Sequence, residues 1–134
     1  MAVKTILFVA SVSGALSVAL GAFGAHILKS LLTADQLNIF ETAVRYQFYH
    51  SLALLATGLI SALAQTHVHG SGWLSASAYA FVAGLVLFSG SLYLIIFLQY
   101  HHSPVPGWIG ILTPIGGLCF IAGWICLALS VWKI

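Results

Sequence analysis

Residues 41–64, ETAVRYQFYHSLALLATGLISALA, decide how the chain must be read. The stretch opens with Glu41 and Arg45 four positions apart, passes through Tyr46, Gln47, Tyr49 and His50, and then turns apolar for more than a dozen residues. From about residue 43 to residue 64 it is long enough to cross a bilayer core, which takes about 20 helical residues. The whole chain suits such a setting, since 61% of its 134 residues are hydrophobic and 4% are charged. A soluble domain carries roughly 25% charged residues, so this chain could not cover a water-facing surface. High hydrophobicity with little charge also excludes an intrinsically disordered chain. The formal net charge of +2 is too small and too scattered for nucleic-acid binding. The partner that the composition implies is the lipid bilayer.

Three further stretches are as long and as apolar, at about residues 5–25, 73–98 and 109–132. Each must be helical, because lipid offers no partner to an unpaired backbone group. The first follows Lys4 and ends in small residues, as a signal peptide does. Its apolar run exceeds the usual 7–15 residues of such a peptide, so it reads as a span. The expected fold is therefore an all-α integral membrane protein, with four transmembrane helices in one compact bundle over residues 1–134.

The longest link, HILKSLLTADQLNIFE (26–41), holds Thr33 and Gln36 at capping-box spacing, with Asp35 where a helix dipole favours an anion. A short interfacial helix is expected over about 34–43, running on into the second span. The link QTHVHGSG (65–72) is short and polar. In QYHHSPVPG (99–107), Pro104 and Pro106 stop the third helix and delay the fourth. Lys4 and Lys133 share one side of the membrane against Lys29, with Arg45 near it, so the positive-inside rule almost ties. The expectation is that both termini are cytoplasmic, because Arg45 looks engaged in structure.

Helices in lipid associate by close backbone approach, so stripes of small residues mark contacts. The first span has Ser13, Ser17, Gly21 and Ala25, with Gly14 and Gly24 nearby; the third has Ala76, Ala80 and Gly84. The fourth has Gly116, Cys119, Gly123, Cys126 and Ser130 on one face. Cys119 and Cys126 would lie about 10 Å apart along a helix, too far to bridge, and read as small buried packing residues. Trp73, Tyr100, Trp108 and Trp132 suit the interfacial aromatic belt. Pro114 reads as the first turn of the fourth helix, or else as a kink that frees the carbonyl near Gly110.

On a helix, Asn38, Glu41, Thr42, Arg45, Tyr46, Tyr49 and His50 fall within half the circumference, and Leu37, Phe40, Ala43, Val44 and Phe48 fill the other, with Gln47 as the exception. The polar half is expected to face the bundle interior or a water-filled vestibule near one membrane face, with Glu41 and Arg45 paired. His26, His101 and His102 lie on the same side, whereas His67 and His69 do not. Three readings compete. The polar groups cap and bind one another where the bundle meets headgroups; or His26, His50, His101 and His102 supply a metal or proton site; or the face docks a membrane protein or lipid. The residues carry no HExxH, CxxC pair, nucleophile elbow or phosphate-binding glycine loop, so neither a cofactor nor catalysis is implied.

The motifs GAFGAH (21–26), TAVRYQFYHSLALL (42–55), LFSGSLYL (87–94), TPIGG (113–117) and Gly123-Trp124, in this order, resemble the small four-span membrane proteins of domain-of-unknown-function family 423. That family has bacterial inner-membrane and mitochondrial-associated animal members. The resemblance implies the four-helix fold, an inner-membrane location and cytoplasmic ends. Its motif positions are Gly21, Gly24, His26, Tyr46, Gln47, His50, Ser89, Gly90, Ser91, Tyr93, Pro114, Gly116 and Gly117. It implies no activity. The expected role is a structural or accessory membrane component, as a homo-oligomer or a subunit of a larger complex. His26 and His50 stand at the centre of its network, and Glu41 and Arg45 at the rim. A homo-oligomeric transporter or channel, or a His-based metal module, is the alternative.

Overall fold

The computed structural model describes residues 1–64 and 71–132. The link motif with His67 and His69, and the terminal Lys133, lie outside the described residues. Among the described residues there is no strand, and four helical segments are long and apolar enough to cross a membrane: Val3–Ser30, Ala34–Ala64, Gly72–Tyr100 and Gly107–Trp132.

Helix α1 (Val3–His26) ends in one 3₁₀ turn, Leu28–Ser30. Helix α2 (Ala34–Ala64) starts at the capping box read from the sequence, and the box is reciprocal. The Thr33 amide donates to Gln36 Oε1 at 3.0 Å, and the Gln36 amide donates to Thr33 Oγ1 at 3.3 Å. The segment expected to lie at the interface runs on into the second span, as read from the sequence, in one helix of 31 residues. At 1.5 Å per residue that is about 46 Å, longer than the roughly 30 Å hydrocarbon core. Its first ten or so residues therefore project beyond the core.

The third span changes register part-way along. It consists of α3 (Ser71–Gly84) and α4 (Gly90–Tyr100), joined by a π-helical turn at Leu85–Ser89. The Gly90 amide reaches back five residues to the Leu85 carbonyl. Such a turn widens the helix and rotates the residues beyond it, so Ser89, Ser91 and Tyr93 take directions that an unbroken helix would not give them. His102, at φ 53°, turns the chain after α4.

Helix α5 (Gly107–Trp132) corrects the reading of Pro114 as a helix start. The proline sits two turns inside α5 and has no N–H to give the Gly110 carbonyl. On either side of it, Thr113 meets Ser91 and Gly116 lies against the backbone of the π turn.

Helix α1 packs chiefly on α2, and α3 on α5, while α2 also touches α3, the π turn and α4. The apolar core joins Ile6, Leu54, Leu74, Ala78, Phe81, Phe120 and Leu127 in the half of the bundle nearer the termini. The small-residue stripes locate these contacts only in part. On α3 the buried seam is Leu74, Ser77, Ala78, Phe81 and Gly84, whereas Ala76 is exposed. On α5 it is Gly116, Phe120, Gly123, Leu127 and Ser130, leaving Cys119 and Cys126 as free, only half-buried thiols.

Two pairs lock α3 to α5 reciprocally. The Phe120 ring fills the space that a side chain on Gly84 would need, and the Phe81 ring lies 2.7 Å from where a Cβ on Gly123 would stand. Phe81-Val-Ala-Gly84 and Phe120-Ile-Ala-Gly123 thus present the same knob and hollow to each other. Gly24 receives Phe40 in the same way, at 2.8 Å. Gly116 is tighter still, for its Cβ would strike the backbone of Leu87 and Phe88, which no rotamer change can relieve. Gly14, Gly21, Gly90 and Gly117 have ordinary van der Waals room, against the expectation of tight packing there. Gly58, which no stripe singled out, sits 2.7 Å from Leu7 by the same measure.

Replacing Gly116 by Val should lower the melting temperature in detergent sharply, by the roughly 1–3 kcal/mol or more of an overpacked core. Gly110 faces open space, and Gly110→Ala should leave the same melting curve unchanged or slightly raised.

Candidate functional site

Gln47 was the exception on the helical wheel, and it is the residue that the bundle closes around. It lies on the buried face of α2 with Phe40, Ala43, His50, Ser51 and Leu54. Its amide Nε2 donates to the Ser13 carbonyl of α1 at 3.1 Å and lies 3.5 Å from Ser13 Oγ. Its Oε1 accepts from the Tyr93 hydroxyl of α4 at 2.7 Å. One side chain thus ties three helices.

Hydroxyl groups extend this network. Ser51 Oγ donates to the Gln47 carbonyl at 2.7 Å and stands 2.8 Å from Ser13 Oγ. Ser17 donates to the same Ser13 carbonyl at 2.8 Å. From the π turn, buried Ser89 donates to the Ala43 carbonyl at 3.0 Å. Ser91 Oγ lies 2.7 Å from Thr113 Oγ1, beside Pro114, and 2.9 Å from the Phe88 carbonyl. Towards the other face, Ser77 donates to the Gly123 carbonyl at 2.9 Å, with Thr57 Oγ1 3.5 Å away. Ser13 falls roughly half-way along α1, so the network reaches the middle of that helix.

His50 is buried but belongs to an aromatic stack. Its ring lies 3.5 Å from that of Phe120 with 10° between the planes, and Nδ1 is 2.8 Å from the Tyr46 carbonyl. A carbonyl only accepts, so Nδ1 carries the proton. Tyr46 stacks on Phe88 at 4.6 Å, and Trp124 meets Phe81 edge-on at 5.5 Å. His50 therefore fastens α2 to α5 through ring contact, and is not hydrogen-bonded to Gln47.

The rest of the polar half faces outward. Glu41, Arg45, Tyr49 and His26 are exposed, and among the described residues no ion pair joins Glu41 to Arg45. His26 is exposed in the last turn of α1, and among the described residues no hydrogen bond joins it to Gln47 or His50, so it does not stand at the centre of the network. His101 and His102 are exposed at the far end of α4, with His101 against Phe97 and Tyr100. Among the described residues no three His, Cys, Asp or Glu side chains converge as metal ligands would.

Sequence reasoning missed Ser13, Ser51 and Thr113 as members of the network. Ser13 signalled only as a small residue, and Ser51 and Thr113 only through their motifs. An inward-facing serine differs from a packing residue by the partner it finds on another helix, which no intrahelical spacing reveals.

Four apolar helices closed by internal hydrogen bonds define a small multi-span integral membrane protein. Residues 20–117 match the family described as "protein of unknown function (DUF423)", and the chain belongs to that family. It is 40% identical to a UPF0382 membrane protein of Staphylococcus saprophyticus, over 98% of this chain and 99% of that one. It is 32% identical to the UPF0382 membrane protein YwdK of Bacillus subtilis, over 97% of this chain and 98% of that one. No solved structure matches it.

Tyr93→Phe removes one bond and should cost about 0.6 kcal/mol of stability in detergent, the average for single interhelical hydrogen bonds in membranes, and at most about 1.7 kcal/mol. Gln47→Leu should cost more, because it strands the Tyr93 hydroxyl as well. A double variant no worse than Gln47→Leu alone would place both side chains in one coupled unit.

Proposed function

We propose that this protein is a non-catalytic structural or accessory component of the bacterial inner membrane, with both termini in the cytoplasm. One observation carries the reading: among the described residues, no buried side-chain nitrogen or oxygen lacks a hydrogen-bond partner. Buried hydroxyls line the bundle across much of its thickness, as a transport path would require. Yet Ser17, Ser51, Ser77, Ser89 and Thr57 each donate to a backbone carbonyl of their own or a neighbouring helix. A network closed on itself has no group left over to pass a substrate along or to hold one. It does supply a fixed spacing and register of four helices, and a scaffold needs both.

On this reading the partners are the lipid bilayer and either further copies of the chain or the subunits of a larger membrane assembly. The outward faces of all four spans are apolar and open to such neighbours.

The test is native mass spectrometry of the protein released gently from its own membrane, with metal analysis of the same sample. The expected result is a metal-free assembly whose recovery and melting temperature fall together in Gln47→Leu and, through lost packing on Phe120, in His50→Leu. A stoichiometric metal that disappears in His50→Leu would replace the scaffold with a metal or transport site. Unchanged melting and assembly in Gln47→Leu would remove its basis.

A further inference from the structure

The internal network leaves out the two charges that drew attention in the sequence. Glu41 and Arg45 stand one turn apart on α2 and are exposed, and no ion pair joins them among the described residues. Both line a cleft of about 300 Å³ between α1 and α2, together with Gly21, Gly24, Phe40 and Val44. The wall opposite the charges is α1 at Gly21, where even a Cβ would stand 3.5 Å from Val44, while Phe40 covers Gly24. Phe40 and Val44 give the cleft an apolar base.

Its depth in the membrane is set by α2. Arg45 is the last charged residue before residues 46–64, a run without Asp, Glu, Lys or Arg, and Glu41 lies one turn, about 6 Å, further from that run. The cation is deeper and the anion shallower. A phospholipid has its phosphate against the glycerol, and an ethanolamine headgroup extends from there to a terminal ammonium.

We propose that this cleft binds the zwitterionic headgroup of an amine-bearing phospholipid from the surrounding bilayer. Arg45 takes the phosphate through its planar fork of N–H donors. Glu41 accepts from the ammonium. Phe40 and Val44 meet the first carbons of the acyl chains. An anionic headgroup without an amine would set its charge against Glu41 with no return. A choline headgroup fits less well, because its quaternary nitrogen has no N–H to donate. Each charge pairs with the ligand rather than with its neighbour on α2, which agrees with the lack of an ion pair between them. The proposal uses none of the network residues, so it stands or falls apart from the scaffold reading.

The test is native mass spectrometry of the purified full chain in detergent, titrated with phosphatidylethanolamine, phosphatidylcholine and phosphatidylglycerol of identical acyl chains. Phosphatidylethanolamine should bind about tenfold more tightly than either of the others, equivalent to about 1.4 kcal/mol. Glu41→Gln should abolish that preference while leaving phosphatidylglycerol binding no weaker. Arg45→Gln should weaken all three, and Arg45→Lys should restore part of the loss. Melting curves of the variants in lipid-free detergent should match the wild type, since both side chains are exposed there. Equal binding of all three lipids would mean ordinary annular contact and overturn the proposal. A preference for phosphatidylglycerol, or a preference that survives Glu41→Gln, would overturn it too. So would a dimer that dissociates in Glu41→Gln, because a second copy would then occupy the cleft.

Discussion

A bilayer gives a side-chain amide nothing to bond with, and Gln47 carries one into the hydrocarbon on a helix that has no partner of its own for it. The amide has to find an acceptor and a donor on other helices. It finds the Ser13 carbonyl on α1 and the Tyr93 hydroxyl on α4, and those two contacts set where both helices stand relative to α2. Neighbouring hydroxyls obey the same rule with less reach: Ser17, Ser51, Ser89 and Ser91 settle on carbonyls, and Ser13 and Thr113 on other hydroxyls. Individually such bonds are modest in membranes, about 0.6 kcal/mol on average. Their weight lies in direction: a bundle slipped by one turn would leave several buried polar groups without partners.

Close approach does the rest. Lipid tails are as apolar as leucine, so there is no hydrophobic drive to bring one helix to another, and contact energy must come from dense packing. Here rings are set into glycine hollows, Phe120 into Gly84, Phe81 at Gly123 and Phe40 at Gly24. The π turn serves both demands at once. It lets the Gly116 stretch of α5 lie against the backbone of Leu87 and Phe88, and it turns Ser89 towards α2. Polar satisfaction and close packing meet at residues 85–91, which the motif LFSGSLYL (87–94) overlaps.

The charged end of α2 belongs to a different environment. Glu41 and Arg45 share a helix with Gln47 but are exposed ahead of its uncharged run, where the span meets water and headgroups that can solvate them. One unbroken helix thus carries an inner polar site that must be closed and an outer one that is free to be open. His26, His101 and His102 are exposed on that same outer side, and their chemistry is that of a membrane surface.

The sequence by itself determined the class, the four helices, the capping box at Thr33 and the family, because burial in lipid demands long apolar helices whatever their neighbours are. It marked Gln47, Tyr93, Ser89 and Ser91 as motif residues, and Gly84, Gly116 and Gly123 as contact points. Which half of α2 faces inward was not legible there. A wheel sorts residues by polarity, and in a membrane protein the buried side can be polar while charged side chains and tyrosines take the outside at the boundary. Nor could spacing show that Pro114 sits inside a helix, that the third span changes register at Leu85–Ser89, or that Ser13 and Ser51 meet. Those were decided by the tertiary structure. Each depends on a partner far away in the chain, and a buried polar group is defined by the partner it finds.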